Sequence, residues 1–256
     1  MAKNIQHIGI IGSGNVAWHL GHGLKSEGFS IDWIFSRNSA TAQELANFLS
    51  CKVVTDLVNV KVDLCLICTT DDAVQELLNQ LHESCSVAYT SGTKTLDSLN
   101  FSGQNLGVFY PLQTFSKEQK LNLFEIPFFI ESKDSRFAQD LFDVAWKLSR
   151  KVQFANSEER KKLHLTAVMV NNFTNHLATL AKDFLDKNKL SFEHLKPLMT
   201  ETVRKLDKMS PYEAQTGPAR RKDETTLKSH LEMLEGDQKL LYELFTKSIQ
   251  KTYSTE

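Results

Sequence analysis

The sequence predicts an α/β protein: a doubly wound, mostly parallel sheet followed by an all-α C-terminal domain. Three observations carry this expectation. Short apolar, β-branched runs alternate with helical patterns through residue 154. From residue 155 to residue 256 the patterning is helical only. A glycine-rich turn lies between the first predicted strand and the first predicted helix, the place where such sheets meet their ligands. The expected division is therefore 1–154 and 155–256. Of the 256 residues 41% are hydrophobic and 24% charged, which suits two packed cores and argues against disorder.

The run His7-Ile8-Gly9-Ile10-Ile11 predicts the first strand. After Gly12-Ser13-Gly14-Asn15-Val16-Ala17, the residues Val16, Leu20 and Leu24 share one stripe of a helix ending near Glu27-Gly28. Ile31 to Phe35 predicts a second strand, and Thr41 to Leu49 a second helix. A short strand around Val53-Val54 and a buried strand from Leu64 to Cys68 follow. A helix through Val74, Leu77, Leu78 and Leu81 leads to a strand at Ser86 to Tyr89. Leu106 to Phe109 and Pro127 to Glu131 are further strand candidates. Such alternation implies parallel crossovers, with helices covering both faces of the sheet.

Beyond about Ser157, a long helix runs through Leu163, Ala167, Val170, Phe173 and Leu177 to about Leu185. Another spans Phe192 to about Lys208 and breaks before Pro211. Gly217-Pro218 marks a turn, and Asp223-Glu224 suits a helix start. Helices near Thr226 to Leu234 and Gln238 to Thr252 complete the chain.

The formal net charge is -1 and no long basic run occurs, so a nucleic-acid footprint is not expected. No apolar run reaches bilayer length, and the chain enters its first strand without a signal-peptide pattern. A cytoplasmic protein without membrane partners is expected. Cys65 and Cys68 form a C-x-x-C, but within a strand they point to opposite faces. They are read, with Cys51 and Cys85, as small packed residues, and no metal site is expected.

Gly12 to Ala17 matches G-x-G-x-x-A between a strand and a helix, the arrangement of a Rossmann dinucleotide site. Gly12 serves the tight turn, Gly14 lets backbone approach a pyrophosphate, and Ala17 lets the helix lie close to the sheet. Ser13, Asn15 and Val16 present the amides of a helix start to phosphate. At the end of the second strand, Ser36-Arg37-Asn38 stands where an NAD site carries a carboxylate. Guanidinium and hydroxyl groups pair with a 2′-phosphate, so NADP is favoured over NAD. The competing reading of Arg37 is a solvated loop residue. Thr69 and Thr70 follow the fourth strand and are candidates to line the cofactor's path. Asp71 and Asp72 suit the start of the next helix. Ser91, in the turn Ser91-Gly92-Thr93-Lys94, is expected near the nicotinamide end.

In the helical half, His164, Asn171 and Asn175 fall on one stripe at 100° per residue, with Asn172 to its side. Polar groups in an apolar helix either bond neighbouring helices or line a ligand cleft. Arg220-Arg221-Lys222 is a basic trio that could take a phosphate or an acidic substrate.

Together with Tyr110-Pro111-Leu112-Gln113-Thr114-Phe115, the stretch from His164 to Asn172 and that from Thr216 to Asp223, these motifs resemble one family along nearly the whole chain. It is the NADP oxidoreductases that join a Rossmann-like domain to a C-terminal helical domain of unknown function. The first part is also similar to pyrroline-5-carboxylate reductase and deazaflavin-dependent NADP oxidoreductases. The second resembles the C-terminal domain of 6-phosphogluconate dehydrogenase. The resemblance implies a small, in places anionic, substrate between the domains and a homodimer formed through the helices. It matches His164, Asn172, Arg221 and Asp223 to the family's recurring polar positions, and Tyr110 stands where the family usually has His.

The leading expectation is hydride transfer between NADP(H) and a small carbonyl or imine. His164 would act as acid or base, Asn172 would orient the substrate, and Arg221 would hold an anionic group. A non-catalytic NADP(H)-binding sensor is the alternative. An S-adenosylmethionine methyltransferase is a third, disfavoured because the second strand ends without an acidic residue.

Overall fold

Leu64, Cys65, Leu66 and Ile67 are all buried, and this unbroken apolar run forms the strand β4 (Leu64–Ile67). A strand covered on both faces needs apolar residues at every position. β4 lies beside β1 (His7–Ile11) in the computed structural model, which describes residues 5–254. The chain divides into two units, 1–172 and 173–256.

The first unit holds a sheet of eight strands in the order β3-β2-β1-β4-β5-β6-β7-β8. β2 is Ser30–Phe35, β3 Lys52–Val53, β5 Ser86–Tyr89 and β6 Asn105–Pro111. These six are mutually parallel, and the order reverses between β1 and β4. That reversal opens a crevice at the carboxyl ends of the strands. β7 (Phe128–Ser132) runs antiparallel to β6, because the chain returns through a loop and not through a crossover helix. β8 (Val152–Phe154) is again parallel to β7, joined through the helix α4 (Ser135–Leu148).

Two apolar layers flank the sheet. One packs α1 (Asn15–Ser26), α2 (Ser39–Leu49) and α4 through Leu20, Leu24, Leu45 and Leu141. The other packs α3 (Val74–Leu78) through Val74, Leu77 and Leu78. Cys68 belongs to the first layer and Cys65 to the second, so the sheet separates the two thiols. Cys65 is hydrogen-bonded to Cys85 instead.

The pair α4 and β8 is absent from the expectations above, although Phe137, Leu141, Val144 and Leu148 recur at helical spacing and Asp134 caps the helix. The single long helix expected from Ser157 is instead interrupted. α5 (Ser157–Ala167) passes into a π turn (Val168–Phe173) and then α6 (Thr174–Lys187). A π turn closes i→i+5 and turns less per residue than an α-helix, which re-phases every residue beyond it.

The second unit carries α6, α7 (Lys196–Lys205), α8 (Pro211–Ala214), α9 (Glu224–Glu232) and α10 (Gly236–Thr252). The expected helix from Phe192 opens as a 3-10 turn, and α7 starts only beside Pro197, whose ring has no N–H to continue a helix from behind. His230 Nδ1 and the Tyr242 hydroxyl lie 2.7 Å apart and tie α9 to α10. Among the described residues, no helix is long and apolar enough to cross a membrane.

Candidate active site

Gly12 follows β1 with φ +118°, and its amide donates to the Phe35 carbonyl at 2.7 Å. A Cβ there would run into the Cys68 carbonyl, so only glycine fits the turn. Gly14 caps α1 without a side-chain hydrogen bond, and the first turn of α1 holds no acidic residue. The free amides and positive end of the helix dipole are therefore left to an anion. A Cβ on Gly14 would meet nothing within 4 Å, so the approach to those amides is open. Ala17 is fully buried against the sheet behind the turn.

The glycine turn forms one wall of a cleft of about 660 Å³ that lies wholly within the first unit. Ser36 and Arg37 line it from the end of β2. The Ser13 hydroxyl donates to Ser36 Oγ at 2.8 Å and lies 2.6 Å from the Thr41 hydroxyl, fixing the end of β2 to the turn. Arg37 is exposed and makes no hydrogen bond or ion pair among the described residues. Asn38 does not line the cleft; its side chain caps α2 by accepting from the Ala40 and Thr41 amides. The set fits a dinucleotide with a 2′-phosphate: amides for the pyrophosphate, an unpaired guanidinium and a hydroxyl for the extra charge.

Thr69 and Thr70 also line the cleft, as does Thr90. Ser91 is buried beside Thr90, where its hydroxyl accepts from the Thr93 and Lys94 amides at 3.1 and 2.8 Å and holds the turn. Asn15 donates to the Phe115 carbonyl at 2.9 Å, anchoring the loop whose Gln113 and Thr114 also line the cleft. Asn171 and Asn172 reach it together. The π turn accounts for this, since uniform 100° spacing sets Asn172 aside.

His164 and Tyr110 do not line the cleft; His164 stands on α5 with Nδ1 3.0 Å from the Tyr110 hydroxyl at the end of β6. Both rings pack on Gly92; a Cβ there would come within 2.8 Å of Tyr110 Cζ and closer still to His164 Nδ1. Burial pushes the Tyr110 phenol up to about 12, against the pull of the Arg160 guanidinium.

Arg160 is fully buried and ion-paired with Glu131 of β7. Its Nε donates to the Ser91 carbonyl at 3.1 Å and a terminal nitrogen donates to the Lys94 carbonyl. Glu131 also accepts from the Ser157 amide and hydroxyl, each at 2.9 Å. Neither Arg160 nor Glu131 is among the expected site residues. The run Ser157-Glu158-Glu159-Arg160-Lys161-Lys162 reads as a solvated face, and the one available signal was that Arg160 precedes His164 by four residues.

Arg221 and Asp223 lie in the second unit. Arg221 is exposed. Asp223 caps α9, accepting from the Thr226 amide at 3.1 Å and hydroxyl at 2.8 Å. Those bonds hold its carboxyl below the usual carboxylate value, with a smaller pull from Arg221.

Residues 7–88 match the family model for coenzyme F420-dependent NADP oxidoreductase, and residues 126–249 match a domain of unknown function, DUF2520. A solved structure described as a putative NADP oxidoreductase from Bacteroides fragilis is 38% identical, covers 97% of this chain and 99% of its own, and superposes with a TM-score of 0.89. A protein from Thermotoga maritima is 23% identical, with 97% and 98% coverage and a TM-score of 0.73. The 1-pyrroline-5-carboxylate reductase of Streptococcus pyogenes is 16% identical, with 98% and 100% coverage and a TM-score of 0.60. The last two share the fold. A comparison with curated proteins finds no match. The chain belongs to the family of NADP oxidoreductases in which a coenzyme F420-dependent NADP oxidoreductase domain is followed by the DUF2520 domain.

Proposed function

We propose that the protein, an NADP-dependent oxidoreductase by family, transfers hydride between NADP(H) and a small carbonyl or imine, with His164 moving the accompanying proton. The observation that carries this reading is the state of the His164 ring. Its Nδ1 is engaged by Tyr110, and its Nε2 has no partner among the described residues. An imidazole with one nitrogen fixed and one free is built to exchange a proton at a single defined atom.

When bound, the nicotinamide would supply or take up the hydride. The chain's own residues do the rest. The turn from Gly12 to Val16 holds the pyrophosphate on the α1 amides, and Ser36 with Arg37 holds the 2′-phosphate. Thr69, Thr70 and Thr90 line the path between the phosphates and the reacting ring. Asn172, a neutral carboxamide on the cleft wall, orients the substrate by hydrogen bonding to its oxygen or nitrogen.

In solution the protein is a homodimer in this reading, formed through the second unit. There Leu198, Val203, Met233, Leu240, Leu244 and Phe245 are all exposed, apolar side chains of the kind a subunit interface covers. Sedimentation of the purified protein checks this, and a monomer at micromolar concentration contradicts it.

The test of the reaction is a screen of small aldehydes, ketones and cyclic imines, followed by loss of NADPH absorbance. A substrate found this way should be turned over by the wild type and not by His164→Ala, while the variant still binds NADPH. Turnover retained by the variant removes His164 from the chemistry. Nucleotide binding with no turnover of any compound would leave a sensor as the better reading.

A further inference from the structure

We propose that Tyr110 is a positioning residue that holds His164 as its Nε2–H tautomer and stands behind it as the reserve of the transferred proton. The inference rests on the reading of His164 as the proton-moving group and specifies which atoms act.

A phenol has one hydrogen to donate, and a neutral imidazole has one N–H and one acceptor nitrogen. The two groups meet at 3.0 Å through Nδ1, and Tyr110 is 8% exposed. Among the described residues the hydroxyl has no other partner. Were Nδ1 protonated, it would donate to the phenol oxygen, and the phenol hydrogen would be left in a mostly buried place without an acceptor. Leaving a buried donor unmade costs more than the bond itself contributes, about 1–3 kcal/mol. The satisfied arrangement has Tyr110 donating to Nδ1, which leaves the ring proton on Nε2. Because burial pushes the phenol up to about 12, it keeps its hydrogen at neutral pH.

The surroundings preserve this pairing. Gly92 is the only residue type that lets both rings close on the turn, since any Cβ would displace them. Arg160 clamps that turn at Ser91 and Lys94, from one helical turn before His164. Its charge is balanced by Glu131, so the brace adds a fixed scaffold without an unpaired ion.

In the reducing direction the protons balance as follows. As hydride forms the new C–H bond, the substrate's oxygen or nitrogen takes the proton from Nε2. Nδ1 takes the proton from the Tyr110 hydroxyl in the same movement. The phenolate then recovers its proton from Nδ1 while Nε2 takes one from water, which restores the Nε2–H tautomer, and no further oxidant or reductant is needed. His164 is thus never left as a bare imidazolate.

The experiment is nitrogen-15 NMR of histidine-labelled full-length protein at a pH where the ring is neutral, with His164→Ala used to assign the signals. In the wild type, His164 should show a protonated Nε2 and an unprotonated Nδ1 shifted by an accepted hydrogen bond. In Tyr110→Phe the shift should vanish and the Nδ1–H form should appear. A wild-type ring protonated at Nδ1 overturns the proposal, and that arm needs no variant to fold. An unchanged ring in a folded, NADPH-binding Tyr110→Phe also overturns it. Neither result depends on turnover: active His164→Ala would sink the acid–base reading, whereas an Nδ1–H ring would sink only this one.

Discussion

Arg160 and His164 stand four residues apart on α5 and fix the same turn from one helix face, Arg160 by hydrogen bonds to Ser91 and Lys94, His164 by packing on Gly92. The helix therefore places a guanidinium and an imidazole in one register. A shift of α5 would undo both.

The brace is a buried ion pair, so removing one partner strands the other. Arg160→Met or Glu131→Gln alone should cost about 3–5 kcal/mol of unfolding free energy, and the double variant markedly less than the sum. Urea unfolding of all four proteins measures this. Additive losses would show that the two side chains do not act as a pair.

Gly92→Ala places a methyl where the two rings meet. The rings belong to a strand end and a helix and cannot both give way, so a loss of about 1–3 kcal/mol is expected. Turnover should fall further than stability, because His164 is displaced. NADPH affinity should change little, since Gly92 is not among the cleft's lining residues. A thermal melt with and without NADPH checks all but the turnover.

Gly12→Ala should fail differently. The backbone there has φ +118° and abuts the Cys68 carbonyl, so strain of about 1–3 kcal/mol adds to a backbone clash. Dinucleotide binding should be lost along with stability, as read by NADPH fluorescence titration beside urea unfolding. Full binding by a folded Gly12→Ala would detach the turn from the nucleotide.

The α9 cap gives a pH dependence with a definite sign. Bonds from Thr226 depress the folded-state pKa of Asp223 below its ordinary 3.8. Its contribution to stability is complete above the unfolded value and is lost as pH falls through the lower, folded one. Asp223→Asn should therefore flatten the acid side of the Tm profile below about pH 4 and leave its slope above pH 5 alone. Parallel profiles across the acid range would contradict the cap.

Much of the first unit was legible because its signals are local. β4 announces itself as a continuous apolar run, and Gly12, Gly14 and Ala17 each answer to one steric requirement. Ser36 and Arg37 line the cleft because the end of β2 opens onto the crevice where the strand order reverses. What sequence spacing could not show is set by tertiary context. Asn38 and Ser91, expected at the cofactor, cap a helix and hold a turn. The π turn is invisible to a 100° periodicity, which is why the pairing of Asn171 with Asn172 on the cleft wall was not foreseen. Arg160 sits in a run of charges, and only the fold shows that its side chain turns inward to Glu131.

The unpaired Arg37 guanidinium is predicted to select the phosphorylated cofactor. Calorimetric titration of the wild type and Arg37→Ala with NADPH and NADH tests it. A charge-assisted pair contributes about 1.5–3 kcal/mol, roughly ten- to a hundredfold in Kd. The wild type should bind NADPH tighter than NADH by at least about that lower factor, and Arg37→Ala should lose the preference while keeping its NADH affinity. Equal binding of the two nucleotides by the wild type, or an equal loss of both in the variant, would contradict it.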